Sequence, residues 1–387
     1  MNGGLRTLLE PQHEEFRGAV REFVQREVVP HQERWDAQRL IDRGTWLEAG
    51  KQGLLGISAP TELGGGGVDD FRYRVVLMEE LAEVGAAALQ SSFSLQDDVV
   101  LPYLLDLGTK EQQERWVPGA CSGELIGAIA MTEPGAGSDL QGIATTAVRD
   151  GDHYVLNGSK TFISSGIQSD FVIVVARTDP SAGSKGISLL VVEEGSTGFS
   201  RGRKLSKVGL HAQDTAELFF SDCRVPAANL LGRPGGGFGH LMERLPLERL
   251  AVAVASVSAA QAALRWTVTY VRERRAFGGP LAEQQTVQFA LAELATEVDV
   301  TQSFVDAAVR AWGSRSLTSV DAAKAKWWAT DVHKRVVDRC VQLHGGYGYM
   351  TEYPIARAFL DARVQSIYGG ANEVMKLIIG RDLATPS

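Results

Sequence analysis

The sequence has little that would tie it to a nucleic acid, a membrane or a disulfide framework. Its 387 residues carry 39 Lys and Arg against 47 Asp and Glu, a formal net charge of −8. Phosphate contacts need clustered basic side chains, so this balance argues against nucleic-acid binding. Long hydrophobic runs are missing as well. The longest uncharged, apolar-rich stretch, Leu250 to Leu264, has 15 residues and contains Ser256, Ser258 and Gln261. That is short of the ~20 residues a bilayer requires, so no membrane span is expected. The three cysteines (Cys121, Cys223, Cys340) are odd in number, far apart and without a C-x-x-C pair. They read as reduced thiols. The first residues lack the charged-then-apolar signal pattern, and Glu10, Glu14, Glu15, Glu22 and Glu27 make them too acidic for a transit peptide. A cytoplasmic location is expected.

The common reactive patterns are missing too. Gly135-Ala136-Gly137-Ser138-Asp139-Leu140 and Gly235-Gly236-Gly237-Phe238-Gly239-His240 both fall short of a dinucleotide fingerprint. Neither sits in a strand-turn-helix unit with an acidic partner further on, and each alone reads as a turn. No G-x-x-x-x-G-K-[ST] loop, H-E-x-x-H helix or G-x-S-x-G elbow occurs. Cys340 and His344 are four apart, but without a second pair they read as packing residues, and no metal site is expected.

What is present is a chain long enough for two or three domains at ~150 residues each. Residues 5–122 read as helical. Pro11 suits a first turn, and Phe16, Val20, Phe23, Val24 and Val28 follow at helical spacing up to Pro30. Further helices are expected through Leu77, Met78, Leu81 and Val84, and from Leu95 to Leu107. From about 124 the character changes. Thr145 to Val148, His153 to Leu156, Phe171 to Ala176, Ile187 to Glu193 and Ala216 to Ser221 are short β-rich runs between turn signals such as Asp150-Gly151 and Asn157-Gly158. They predict a small antiparallel sandwich or barrel. After Gly235 to Gly237, long helices are expected over about 238–274, 283–312 and 318–343, with a last one over 372–380. Thr318 and Asp321 form a cap for the third. The fold class is therefore α+β: an N-terminal helical domain (1–122), a central antiparallel β domain (123–235) and a C-terminal helical bundle (236–387).

Four segments in order carry a more specific signal. Residues 130–139 read Ala-Met-Thr-Glu-Pro-Gly-Ala-Gly-Ser-Asp. Tyr270, Arg274, Phe277, Gly278, Leu281 and Gln285 give Y-x-x-x-R-x-x-F-G-x-x-L-x-x-x-Q. Residues 342–354 read Gln-Leu-His-Gly-Gly-Tyr-Gly-Tyr-Met-Thr-Glu-Tyr-Pro, and residues 367–373 read Ile-Tyr-Gly-Gly-Ala-Asn-Glu. Together they closely resemble the acyl-CoA dehydrogenase family of flavoproteins. The resemblance runs from Leu9-Glu10-Pro11-Gln12 to Gly380-Arg381-Asp382.

That resemblance implies FAD as cofactor and an acyl thioester as substrate. It places Ile129, Met131, Thr132, Gly137 and Ser138 along the flavin, with Ser138 also near the acyl-carrier arm. Small residues there let the backbone approach the cofactor closely. Phe162-Ile163-Ser164 matches a second flavin wall, where relatives often carry Trp at the first position and Thr at the third. Arg274, Phe277 and Gln285 match residues that hold the diphosphate and adenosine half across a subunit interface. Gln342, Gly345 and Gly346 complete that half, with Glu373 nearby, and an arginine fork suits phosphate oxygens. Ala371 departs from the many relatives with threonine there. The crossing implies a homo-oligomer, with a tetramer the family's usual form, and an electron-transferring flavoprotein as acceptor.

The family reaction removes an α-proton while the β-hydrogen leaves as hydride to flavin N5. It needs a carboxylate beside Cα and donors on the thioester oxygen. One subgroup carries the carboxylate directly after the tyrosine of I-Y-E-G, but here that position is Gly369. A second subgroup, including long-chain and isovaleryl types, carries it on an earlier helix, and Glu248 falls at that place. On pattern alone, a Glu-Arg pair on a helix belongs on a solvated face. Glu248 is followed at once by the most apolar helix of the chain, however, so it is expected beside a dry interior that would raise its pKa. By resemblance, Arg249 assists the thioester end and the Gly369 N–H donates to its oxygen. Two further readings compete: a relative acting on acyl groups tethered to a carrier protein, and a flavin-binding scaffold without catalysis.

Overall fold

A computed structural model describes residues 6–385. The N-terminal part is a stack of helices: α1 (Pro11–Phe23), α2 (Gln32–Gln38), α3 (Arg43–Lys51), α4 (Arg72–Glu83), α5 (Ala87–Ser94), α6 (Leu101–Leu107) and α7 (Lys110–Ser122). Proline stands at the first position of α1, as expected. Thr109 caps α7, its hydroxyl accepting from the Gln112 N–H at 3.3 Å. Two wide π turns depart from regular periodicity, Val24–Val28 after α1 and Leu95–Val100 between α5 and α6. The expected helix from Leu95 to Leu107 is therefore a π turn leading into α6. Pro102 is the second residue of α6, and its missing N–H and bulky ring fit poorly into a regular helix interior.

The middle part holds β1 (Gly127–Ala130), β2 (Thr146–Asp150), β3 (His153–Ser164), β4 (Phe171–Arg177), β5 (Ile187–Glu193), β6 (Phe199–Lys204), β7 (Thr215–Pro226) and β8 (Leu230–Leu231). They form one sheet in the order β6-β7-β3-β2-β4-β5-β8, with β1 also on β4. The expectation of a purely antiparallel domain is corrected. β1 runs parallel to β4, Gly127 to Ala130 facing Phe171 to Val174, and β2 meets β4 in parallel at Thr146 and Arg177. β5 fills the other edge of β4 along its whole length. Buried on both faces, β4 and β5 are almost unbroken runs of Val, Ile and Leu, as central strands require.

The C-terminal part contains α8 (Gly237–Glu273), the small hairpin β9 (Arg275–Ala276) and β10 (Gly279–Pro280), then α9 (Gln285–Gly313), α10 (Ser319–His344), α11 (Pro354–Ala362) and α12 (Asn372–Ala384). Thr318 caps α10, its hydroxyl accepting from the Asp321 N–H at 3.1 Å. Among the described residues only α8 is long and apolar enough to cross a bilayer, but 78% of its most apolar window is buried inside the protein. It is a core helix. Leu250, Val254 and Val257 of α8 share one hydrophobic cluster with Val75 and Met78 of α4 and Val305 and Val309 of α9. This cluster seats the start of α8 against the N-terminal helices.

Candidate active site

Glu248 lies two residues beyond Pro246, inside α8. A proline has no N–H, so Pro246 leaves the Met242 carbonyl without its usual helical donor. The expected dry setting is found: Glu248 is 7% exposed. Its Oε1 accepts from the Tyr103 hydroxyl of α6 at 3.3 Å. Burial raises the carboxyl from its ordinary range to about 7, opposed by the Tyr103 hydrogen bond and the nearby Arg249 charge. Arg249 is itself 5% exposed, its Nε has no hydrogen-bond partner, and burial pushes the guanidinium down. Among the described residues no carboxylate forms a salt bridge with it. An unpaired buried cation is costly, which makes Arg249 available to an anionic or strongly polar ligand group.

Gly369 comes back to this place from the far end of the chain. It adopts φ +61, and a Cβ there would lie 3.4 Å from Cγ2 of Val252, one helical turn beyond Glu248 on the same face of α8. Position 369 and the side chain of Glu248 thus approach the same region of α8. The loop is pinned from beneath by Lys326 of α10, which is fully buried. Its ammonium donates to the Gly370 carbonyl at 2.7 Å and to Asn372 Oδ1 at 3.1 Å. Asn372 in turn donates to Thr330 Oγ1 at 3.0 Å. Ala371 occupies the N-cap of α12 without a side-chain cap, where the threonine of relatives could supply one. Sequence reasoning overlooked both Tyr103 and Lys326.

The segment from Ile129 to Ser138 forms a loop after β1, closed by a bridge between Glu133 and Ala136. Lys160, buried in β3, holds it by donating to the Met131 carbonyl at 3.0 Å and to Glu133 Oε1 at 2.8 Å. Thr161 N–H donates to the Thr132 carbonyl at 2.9 Å. Next to it the β3–β7 register slips between Lys160 and Ile163. Phe162 sits at this bulge with φ +61 and 69% exposure, beside buried Ile163 and half-buried Ser164. Ile129 and Met131 pack against the same cluster that contains Tyr103 and Phe171. The loop and the buried carboxylate therefore share one support. Gly137 and Ser138 lie exposed on its outer side.

Several of the residues expected to hold the other half of the cofactor lie at the opposite end of α8. A cleft of about 550 Å³ is lined by Tyr270, Arg274, Leu281, Gln342, Gly345 and Gly346, among others. Tyr270 stacks on His344 with ring centres 4.3 Å apart, and the Arg274 guanidinium lies 5.3 Å over the Tyr347 ring. Phe277 and Gln285 are exposed but are not among the lining residues. Phe277 and Gly278 form the two-residue turn of the β9–β10 hairpin, both with positive φ (54 and 90), and Phe277 is 90% exposed. Glu373 is exposed in the first turn of α12. Among the described residues no group of three or more His, Cys, Asp and Glu could hold a metal ion.

These surfaces fit FAD. A Cβ at Gly135, Gly137, Gly345 or Gly346 would meet nothing within 4 Å, leaving open space for close approach of a ligand. Phe162 and Phe277 are both exposed aromatic side chains. Arg274 supplies a guanidinium for phosphate oxygens. The fold and this arrangement define a flavin-dependent oxidoreductase.

Comparison with known proteins gives the family. The chain matches the acyl-CoA dehydrogenase N-terminal domain over residues 10–124, the middle domain over 128–223 and the C-terminal domain over 235–384. It is 50% identical over 386 residues to the long-chain specific acyl-CoA dehydrogenase, mitochondrial, of Rattus norvegicus, covering 99% of this chain and 89% of that protein. A crystal structure of acyl-CoA dehydrogenase from Geobacillus kaustophilus superposes with a TM-score of 0.95 at 50% identity, covering 97% of this chain and 99% of that one. A glutaryl-CoA dehydrogenase from Mycobacterium smegmatis, in complex with FADH2, superposes with a TM-score of 0.91 at 27% identity, covering 97% and 95%. The chain belongs to the acyl-CoA dehydrogenase family, an FAD-dependent family of oxidoreductases.

Proposed function

We propose that the chain performs α,β-dehydrogenation of an acyl-CoA thioester with Glu248 as the catalytic base. The observation that carries this is a carboxylate, buried and raised to about 7, one helical turn from the residue against which Gly369 packs. Glu248 takes the α-proton, and the C–H electron pair becomes the new carbon–carbon double bond as hydride departs from Cβ. Bound FAD supplies the acceptor for that hydride. The Gly369 N–H donates to the thioester oxygen as negative charge develops there, and the Arg249 charge favours the same build-up. The product is a 2,3-unsaturated thioester.

The residues that would hold FAD are Ile129, Met131, Thr132, Gly137, Ser138, Phe162, Ile163 and Ser164 at the ring. Arg274, Phe277, Gln285, Gln342, Gly345, Gly346 and Glu373 would hold the diphosphate and adenosine half, and Ser138 would also meet the acyl-carrier arm. The relatives above are named for CoA substrates, which favours CoA over a carrier protein. An electron-transferring flavoprotein is the proposed acceptor of the electron pair. A homotetramer belongs to the same proposal, supported by Phe277, Phe289 and Val300, which are 90%, 59% and 59% exposed on the hairpin and α9. The cytoplasmic assignment is retained on the three cysteines, all free and buried.

The test is Glu248→Gln. The variant is expected to purify yellow and fully loaded with FAD, yet show no anaerobic flavin bleaching across a panel of acyl-CoA esters. Bleaching at the parent rate would remove Glu248 from the role of base.

A further inference from the structure

Tyr103 is a fully buried tyrosine in a segment that otherwise reads Leu101, Pro102, Leu104 and Leu105. A hydroxyl in such a place needs a partner. Among the described residues its one hydrogen bond is the donation to Glu248 Oε1, at 3.3 Å. The Glu248 carboxylate likewise accepts no other from the described residues. The approach comes from a different element than the carboxylate's own helix, across the joint between the N-terminal and C-terminal parts. It is also set up by the backbone. The π turn at Leu95–Val100 adds one residue to the helical path just before α6. That insertion rotates everything after it by about one residue position, or ~100°. The rotation directs Tyr103 to α8.

We propose that Tyr103 is the positioning residue for the Glu248 carboxylate, its hydroxyl fixing one carboxylate oxygen so that the other faces the substrate's α-carbon. This rests on Glu248 being the base. With Oε1 held, rotation about the last side-chain bond is restrained and Oε2 is left as the proton acceptor. The 3.3 Å separation is longer than the ~2.5–2.7 Å of a tight hydroxyl–carboxylate bond. Catalytic hydrogen bonds of this kind commonly tighten once substrate excludes water. The hydroxyl also stabilises the charged carboxylate, so it sets the pH at which the base becomes available.

The other charged groups about this pair are few. Arg249 acts on Glu248 from the next position of α8, and Lys326 of α10 faces Arg249. Arg244, one turn earlier on α8, acts on Tyr103 and is paired with Asp106 of α6. From α4, Arg74 is taken up by Asp97 and Asp98 of the π turn. None of these replaces a donor on Oε1.

The experiment is the pH dependence of anaerobic flavin reduction by an acyl-CoA ester in FAD-loaded Tyr103→Phe, compared with the parent and with Glu248→Gln. Loss of the hydroxyl is expected to move the acid limb to higher pH and to lower the reduction rate at pH 7 on the order of tenfold, the range for a hydrogen bond to a charged group. KM should change much less. Site-specific replacement of Tyr103 by 3,5-difluorotyrosine, a stronger donor, is expected to move the limb the other way, and it guards against a packing defect in the phenylalanine variant. If Glu248→Gln is silent while both Tyr103 variants keep the parent profile, the positioning role is overturned and the base assignment stands. If Glu248→Gln is reduced normally, the base assignment falls and takes the positioning role with it.

Discussion

A carboxylate placed to stabilise a fold is paired or solvated, whereas one placed to take a proton from carbon must be kept short of both. Glu248, the proposed base, has the setting of the second kind. Its carboxyl sits at about 7 in the folded chain against an ordinary 4.5. A raised acid pKa favours the protonated form on folding, so its contribution to stability is complete below 4.5 and is lost as pH rises through 7. At 1.36 kcal/mol per unit, the full difference is about 3 kcal/mol. Glu248→Gln is therefore expected to be more stable than the parent at pH 8, by up to about 3 kcal/mol, with the advantage gone by pH 4. Urea unfolding at the two pH values measures it. A variant no more stable at pH 8 than the parent would contradict the buried, raised carboxyl. Glu248 is singled out through the resemblance to relatives that carry the carboxylate on an earlier helix; the pattern alone reads as a solvated face, and only the apolar run after it points to burial. Tyr103 was not legible in the sequence, since a tyrosine among leucines reads as core until its hydroxyl finds a partner from another element.

At the scale of elements, the site depends on two backbone irregularities and one buried lysine. The bulge at Phe162 and the π turn before α6 each turn a side chain out of the regular pattern. Neither could be read from periodicity, which registers repeats and not a single inserted residue. Regular elements fared better. β5 was read with its observed bounds because its Val, Ile and Leu run is flanked by turns, and α10 announced itself through Thr318 and Asp321. α11 went unread although Pro354 opens it, and β1, only Gly-Ala-Ile-Ala, is too short and poor in branched residues to register as a strand. Lys326 holds the 369–372 loop through two carbonyl oxygens although burial pushes its ammonium down to about 7. Lys326→Met would leave the Gly370 carbonyl without its donor and Asn372 Oδ1 with only the Thr330 hydroxyl. We expect kcat to fall more than tenfold with a smaller change in KM, and amide exchange at Gly369 and Gly370 to quicken. A variant with parent kcat and unchanged exchange would show that the loop holds itself.

At the scale of the whole molecule, α8 carries the proposed base and leads into the proposed phosphate grip. Glu248 stands near its start and Arg274 follows its last residue, Glu273. At 1.5 Å per residue the two are roughly 39 Å apart. If the cofactor's phosphate half is held across a subunit interface, as proposed, each α8 is a rigid strut shared between two reaction centres, giving a base to one and a phosphate grip to its neighbour. Defects at the two ends should then complement. Glu248→Gln alone lacks a base at every centre, and Arg274→Ala alone is expected to lose FAD at every centre. Co-expressed with distinguishable tags, the hybrid assembly contains one kind of centre with both parts intact. Recovered turnover in the doubly tagged fraction is the expected result, and a fraction as inactive as either parent would mean that each chain builds its centre alone. Such a helix makes inheritance of damage unequal: a chain broken at one end still serves its neighbour at the other.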